Sequence, residues 1–177
     1  MRTDRPGIEV RTGDRAAAVA GEPHPLAIVL DRLRSAYNVG NIFRLAEVAR
    51  VREVVTCGYT ATPPHPKLIK TARGCDALVP HRHFETAVAA VTQLKAEGYA
   101  LVSVETVVDA PALWQAEFRF PLALVFGNEA LGVHPDALAL CDGFVRLPVY
   151  GRKNSLNVSN CAAVVVYEAL ERLQHRP

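Results

Sequence analysis

Short apolar runs of strand length recur along this chain, separated by stretches whose apolar residues fall at helical spacing. Leu26 to Leu30, Val54 to Cys57, Ala77 to Val79, Tyr99 to Val104, Leu122 to Phe126 and Phe144 to Leu147 read as strands. Asn41 to Arg50 reads as a helix, with Ile42, Leu45, Ala46 and Ala49 on one face. Lys67 to Ala72 is a short helix stopped at Gly74, and Glu85 to Glu97 is a helix closed by Gly98. Ala112 to Gln115 is a helical turn, Pro135 to Leu140 opens on a permitted proline, and Val158 to Leu173 is the terminal helix. Strands alternating with helices specify an α/β fold, a mainly parallel sheet flanked by helices. Such sheets bind ligands beyond the C-terminal ends of their strands. A chain of 177 residues, half of them hydrophobic, suffices for one domain with a real core. That domain is expected over residues 25–177, behind an irregular arm at 1–24 that carries Pro6, Gly7, Gly13, Gly21 and Pro23.

Three polar segments follow apolar runs and so fall where a ligand would bind. They are Asn38-Val39-Gly40-Asn41-Ile42-Phe43-Arg44, Phe126-Gly127-Asn128-Glu129-Ala130-Leu131-Gly132, and Gly151-Arg152-Lys153-Asn154-Ser155-Leu156-Asn157-Val158-Ser159. Each has an ordinary structural explanation. Ser155 and Asn157 suit a helix start, where their oxygens satisfy orphan N–H groups. Asn38 suits a turn before Gly40, and Glu129 a helix-start carboxylate. Gly127 is either a strand-end turn or a point of close backbone approach to a ligand. Three such loops after strands suggest one shared site. The usual nucleotide signatures are missing: the first strand runs into Asp31-Arg32-Leu33-Arg34-Ser35-Ala36-Tyr37, with no Gly-rich turn, and there is no P-loop.

Taken together, the three segments resemble the SpoU (TrmH-type) branch of the SPOUT RNA 2′-O-ribose methyltransferases. Asn38, Gly40 and Arg44 match the first motif, Leu124 to Gly132 the second, and Leu147 to Ser159 the third, in order over roughly residues 26–173. The resemblance implies a C-terminal trefoil knot, a homodimer with its active site near the interface, and S-adenosyl-L-methionine as cofactor. It places the cofactor among Val104, Glu105, Gly127, Leu147, Ser155 and Leu156, with backbone groups doing most of the adenine recognition. It implies catalytic roles for Arg44, Asn38, Glu129, Ser155 and Asn157. Arg44 would act at the target ribose, either as the base or as a phosphate anchor; a guanidinium is a poor base but grips phosphate bidentately. Asn38 would orient Arg44 or the ribose, and Glu129 would hold polar groups of the site. An arm of 24 residues is too short for a separate RNA-binding domain, which favours tRNA over rRNA. Two rivals stay open: a non-catalytic RNA-binding homodimer of the same fold, and an unrelated α/β enzyme acting on a phosphorylated sugar.

Net charge is only +2, but its distribution is uneven. Residues 26–83 carry +5, residues 84–145 carry −6 and residues 146–177 carry +3. The basic excess coincides with the first and third motifs, where a positive surface would attract phosphate. Arg32, Arg34, Lys67, Lys70, Arg73, Arg82, Arg152 and Lys153 are the candidate RNA contacts. His81-Arg82-His83 looks like a ligand pair but lacks a third ligand nearby, so no metal is expected. Cys57, Cys75, Cys141 and Cys161 stand far apart and are expected as reduced, buried small hydrophobes. No apolar run reaches membrane length, and Met1 to Glu22 carries no apolar signal region. A cytoplasmic protein is the expectation.

Overall fold

The computed structural model describes residues 21–107 and 109–175, so residues 1–20 of the expected arm lie outside it. Six strands form one sheet: β1 (His24–Asp31), β2 (Val51–Cys57), β3 (His81–Phe84), β4 (Ala100–Val104), β5 (Leu122–Phe126) and β6 (Gly143–Val145). Their order is β3-β2-β1-β5-β4-β6, and every pairing is parallel. The helices are α1 (Ala36–Val48), α2 (Pro66–Ala72), α3 (Ala87–Ala96), α4 (Pro135–Leu138) and α5 (Val158–Gln174).

The central strand shows how the sequence dictates the layers. Side chains alternate across a strand. Leu26, Ile28 and Leu30 of β1 therefore join Ile42 and Phe43 of α1 and Val165 and Val166 of α5 in one core. Ala27 and Val29 point the other way, into a second core with Ala90, Val91 and Leu94 of α3 and Ala137 of α4. Both faces are covered, which is why β1 and β5 read as continuous apolar runs. Leu26, Ile28 and Leu30 are fully buried. Each contributes about 1.5–3 kcal/mol relative to exposure.

The chain lays β2 and β3 on one side of β1, then crosses to build β5, β4 and β6 on the other. The resulting switch point lies between the C-terminal ends of β1 and β5, where open α/β sheets take their ligands.

Three expectations are corrected. Ala77 to Val79 is not a strand: Cys75–Ala77 form a 3-10 turn, and Leu78 is exposed. The strand begins after Pro80, whose carbonyl accepts from the Val54 N–H at 3.0 Å. Proline cannot donate to a ladder, so the pairing of β3 starts at His81. The helix expected from Asn41 starts at Ala36 instead, capped by Ser35, whose hydroxyl accepts from the Asn38 N–H at 3.3 Å. Asn38 and Gly40 are thus helical. Gly40 is where α1 meets α2, because a Cβ there would overlap Thr71 Oγ1 and the Leu68 carbonyl. Of the four cysteines only Cys57 is fully buried; the others are half-buried, and all four are free thiols.

Candidate active site

A cavity of about 450 Å³ opens at the C-terminal ends of β4, β5 and β6, against the start of α5. That volume lies within the range typical of small-molecule and cofactor sites, roughly 300–1,000 Å³. All six residues singled out for the cofactor line it: Val104, Glu105, Gly127, Leu147, Ser155 and Leu156. Glu129 and Asn157 line it too. Sequence reasoning missed Phe126, Asn128, Arg146 and Cys161 in the same wall. Burial, then the Glu105 carboxylate, pushes the Cys161 thiol up to about 11, so it is neutral and not nucleophilic near pH 7.

The loop after β5 is a tight, self-bonded unit. Asn128 and Gly132 exchange both backbone hydrogen bonds, at 3.0 and 2.9 Å. The Asn128 side-chain oxygen accepts from the N–H groups of Ala130 and Leu131, at 2.9 and 3.0 Å. Its amide nitrogen donates to the Arg32 carbonyl at 2.7 Å and to the Tyr59 hydroxyl at 2.8 Å. Glu105 braces the far side, accepting from the Val133 N–H at 3.2 Å. Gly127 leaves no room for a side chain, because a Cβ there would overlap the backbone of Gly132 and Val133. Close approach is therefore needed within the loop itself, whatever the cavity holds.

Hydrogen bonds join the three polar segments. Glu129 accepts from the N–H groups of Arg34 and Ser35 at 2.9 and 3.2 Å, and from the Asn38 amide at 3.1 Å. The Asn38 oxygen in turn accepts from the Asn157 amide at 3.2 Å. Partial burial pushes the Glu129 carboxyl up. The N–H groups of Arg34, Glu129 and Ser35 and the Asn38 amide outweigh that and hold it below its ordinary value. Asn38 is thus engaged by Glu129 and Asn157, not by Arg44.

Asn157 rather than Ser155 caps α5. Its oxygen accepts from the N–H groups of Ser159 and Asn160, at 3.0 and 3.4 Å, and from the Ser159 hydroxyl at 2.8 Å. Asn157→Ala removes both cap and bridge. The expected cost is about 1 kcal/mol, a melting temperature lower by roughly 2–4 °C. Activity should fall with it, and thermal unfolding beside a turnover assay checks both; loss of neither overturns the assignment.

Arg44 does not line this cavity. It is exposed on α1 and borders a separate recess with Glu47, Val48, Arg73 and Cys75. Six residues along a helix place it ~9 Å from Asn38 and turned to a different face. Among the candidate RNA contacts, Arg34, Lys67, Lys70, Arg73, Arg152 and Lys153 are exposed. Arg32 is instead paired with the buried Asp31 carboxylate at 3.1 Å. Arg82 is gripped by Glu53 at 2.7 Å and Glu97 at 2.8 Å, and stands across β3 as an ion-pair brace rather than a free cation. His83 meets the Thr56 hydroxyl at 3.0 Å. Among the described residues no group of three His, Cys, Asp or Glu could hold a metal, and no helix is long and apolar enough to cross a membrane.

Residues 25–167 match the SpoU rRNA Methylase family. A tRNA (guanosine(18)-2′-O)-methyltransferase from Thermus thermophilus is 31% identical over 81% of this chain and 73% of its own. The SpoU methyltransferase AviRb from Streptomyces viridochromogenes, solved with AdoMet, superposes with a TM-score of 0.79 at 25% identity, over 88% of this chain and 63% of that one. A structure described as giving insight into 2′-OH methylation of C/U34 on tRNA superposes with a TM-score of 0.75 at 25% identity, over 85% of this chain and 97% of that one. Two further curated relatives are spanned over only 54% and 60% of their length. With the matched region reaching all six strands and all three polar segments, the chain belongs to the SpoU rRNA Methylase family.

Proposed function

We propose that this protein transfers a methyl group from S-adenosyl-L-methionine to a ribose 2′-hydroxyl of RNA, with tRNA favoured over rRNA. The observation that carries the reading is the bridge Glu129–Asn38–Asn157 beside a cofactor-sized cavity at the C-terminal ends of β4, β5 and β6.

The residues suit the cofactor. Leu147 and Leu156 offer apolar walls, and the backbone around Gly127 is open to the cavity for polar contacts to a purine. Bound there, S-adenosyl-L-methionine supplies an electrophilic methyl on sulfonium, and catalysis then rests largely on positioning. Glu129 stays ionised and fixes Asn38, and Asn38 and Asn157 present fixed amides beside the cavity for the target ribose. Arg44 would hold the adjoining phosphate, which fixes the nucleophile. It borders a different recess of its own chain, which supports a homodimer in which Arg44 of one copy serves the cavity of the other. A C-terminal trefoil knot and a cytoplasmic location complete the proposal. The tRNA preference draws on the tRNA enzymes among the relatives, one matched over 97% of its length. An rRNA target is the second reading, favoured by the family's description.

The test is incubation of purified protein with methyl-labelled S-adenosyl-L-methionine and total RNA from cells lacking the gene. Label in the tRNA band, alkali-stable at one dinucleotide, is expected. Label in rRNA keeps the chemistry and overturns the substrate, and no label overturns the activity. In the same assay Arg44→Lys should lose at least tenfold, since lysine cannot reproduce a bidentate fork on phosphate. Near wild-type turnover would remove Arg44 from the site.

A further inference from the structure

We infer that Tyr59 is a stacking platform for an unpaired RNA base next to the methylated nucleotide; the inference rests on the reading above that the protein acts on RNA. Tyr59 follows β2, at the same end of the sheet as the cavity. Its ring is 61% exposed. It is nonetheless held. Its hydroxyl accepts from the Asn128 amide at 2.8 Å, and Asn128 is 4% exposed and fixed by three further bonds within the loop and to Arg32. Next to it Thr60 is 2% exposed, donating to the Leu30 carbonyl at 3.1 Å and accepting from the Leu33 N–H at 2.9 Å. The backbone under the ring is thus tied to the end of β1.

A ring anchored at its hydroxyl and at its backbone, with its body open to solvent, loses little entropy when something stacks on it. The setting selects what that is. The residue that anchors the ring, Asn128, is adjacent in the chain to Glu129, which holds the Asn38 amide proposed to meet the ribose. Arg34, exposed, donates its N–H to the same Glu129 and adds a cation for a phosphate. Glu129 itself is anionic, but its oxygens are occupied by the Arg34 and Ser35 N–H groups and the Asn38 amide. An exposed aromatic beside a cation and a ribose site fits a base from a single-stranded loop, which stacks on aromatic side chains with little regard to sequence. The hydroxyl alone would justify a structural tyrosine, but it would not require an open ring.

The experiment titrates a hexaribonucleotide carrying 2-aminopurine into wild-type protein and the variants Tyr59→Phe, Tyr59→Leu and Tyr59→Ala, following fluorescence. Wild type should quench the probe, and Tyr59→Phe should nearly match it. Tyr59→Leu and Tyr59→Ala should bind on the order of tenfold more weakly or worse, without quenching. S-adenosyl-L-homocysteine binding should be retained in all three, and the melting temperature should fall by no more than roughly 2–4 °C, for the lost bond from Asn128. Quenching by Tyr59→Leu equal to wild type overturns the inference, as does no quenching by wild type. A fall in Tyr59→Phe as deep as in Tyr59→Ala also overturns it, because the tie to Asn128 would then be what matters. Methyl transfer by wild type is scored separately: its absence overturns the proposed activity, while the probe still decides the platform.

Discussion

Replacing Gly127 by alanine should lower the melting temperature by more than about 6 °C and abolish cofactor binding. The reason is steric. Gly127 does not occupy the left-handed region, so its conformation alone would accept any residue. What it lacks is space: the added methyl would lie on the carbonyl group of Gly132 and the nitrogen of Val133. Those are backbone atoms, locked by the paired bonds of Asn128 and Gly132 and by Glu105 on Val133, and cannot swing aside like a side chain. Overpacking a tight site costs roughly 1–3 kcal/mol and more where backbone must move. At 2–4 °C per kcal/mol for a chain of this size, the upper end of that range gives about the shift stated. Because the same loop lines the cavity, the displaced backbone would also spoil the pocket. Thermal unfolding and calorimetry with S-adenosyl-L-homocysteine read the two effects. An unchanged melting temperature would show that the loop yields, and would remove the packing explanation for this glycine.

Glu129→Ala should reduce turnover by at least a hundredfold, with a smaller loss of stability. The carboxylate holds three donors from the start of α1: the N–H groups of Arg34 and Ser35 and the Asn38 amide. Without it Asn38 loses one of its two fixed partners, and the amide proposed to face the ribose is no longer held. Losing one prepositioned polar group in an active site typically costs on the order of 10²–10³ in rate. Stability should fall by about 1 kcal/mol, because Glu129 is exposed and water can replace it at the N–H groups. The ionised carboxylate is the bonded form. Its stabilisation is therefore complete above the ordinary carboxyl value of about 4.5 and is lost as pH falls through the lower value of the folded state. Glu129→Gln keeps an acceptor without the charge, so it should flatten the acid limb of stability below about pH 4.5 while retaining part of the activity. A Glu129→Ala variant with wild-type turnover would dissolve the bridge as a functional unit.

What could be read in advance, and what could not, follows from where each signal resides. Strands β1 and β5 were legible because both of their faces are covered, which leaves an unmistakable apolar run. Strand β3 was misplaced because it is an edge: its sequence, His81-Arg82-His83-Phe84, is polar, and its stability comes from the ladder to β2 and from Arg82 braced between Glu53 and Glu97. The start of α1 was set too late because asparagine and glycine look like turn residues, whereas Ser35 caps a helix that needs Gly40 small where α2 crosses. The six cavity-lining residues came from a resemblance of motifs, not from periodicity. The roles of Asn128 and Tyr59 escaped because they rest on bonds spanning 96 and 69 residues, which no local pattern encodes. Arg44 carried a motif but no information on which recess it borders.

The order of the strands divides the chain into two halves with different jobs. Every residue lining the cavity falls between Val104 and Cys161, on the late-built side of the sheet. Asn38, Arg44 and Tyr59 all belong to the first sixty residues, on the other side of the β1–β5 seam. Across that seam the two sides converse through Glu129, Asn157 and Asn128. On the proposed activity, substitutions of exposed residues in the early half other than Arg44 would change RNA contacts while the cavity lining stays untouched, so long as those three residues keep their partners.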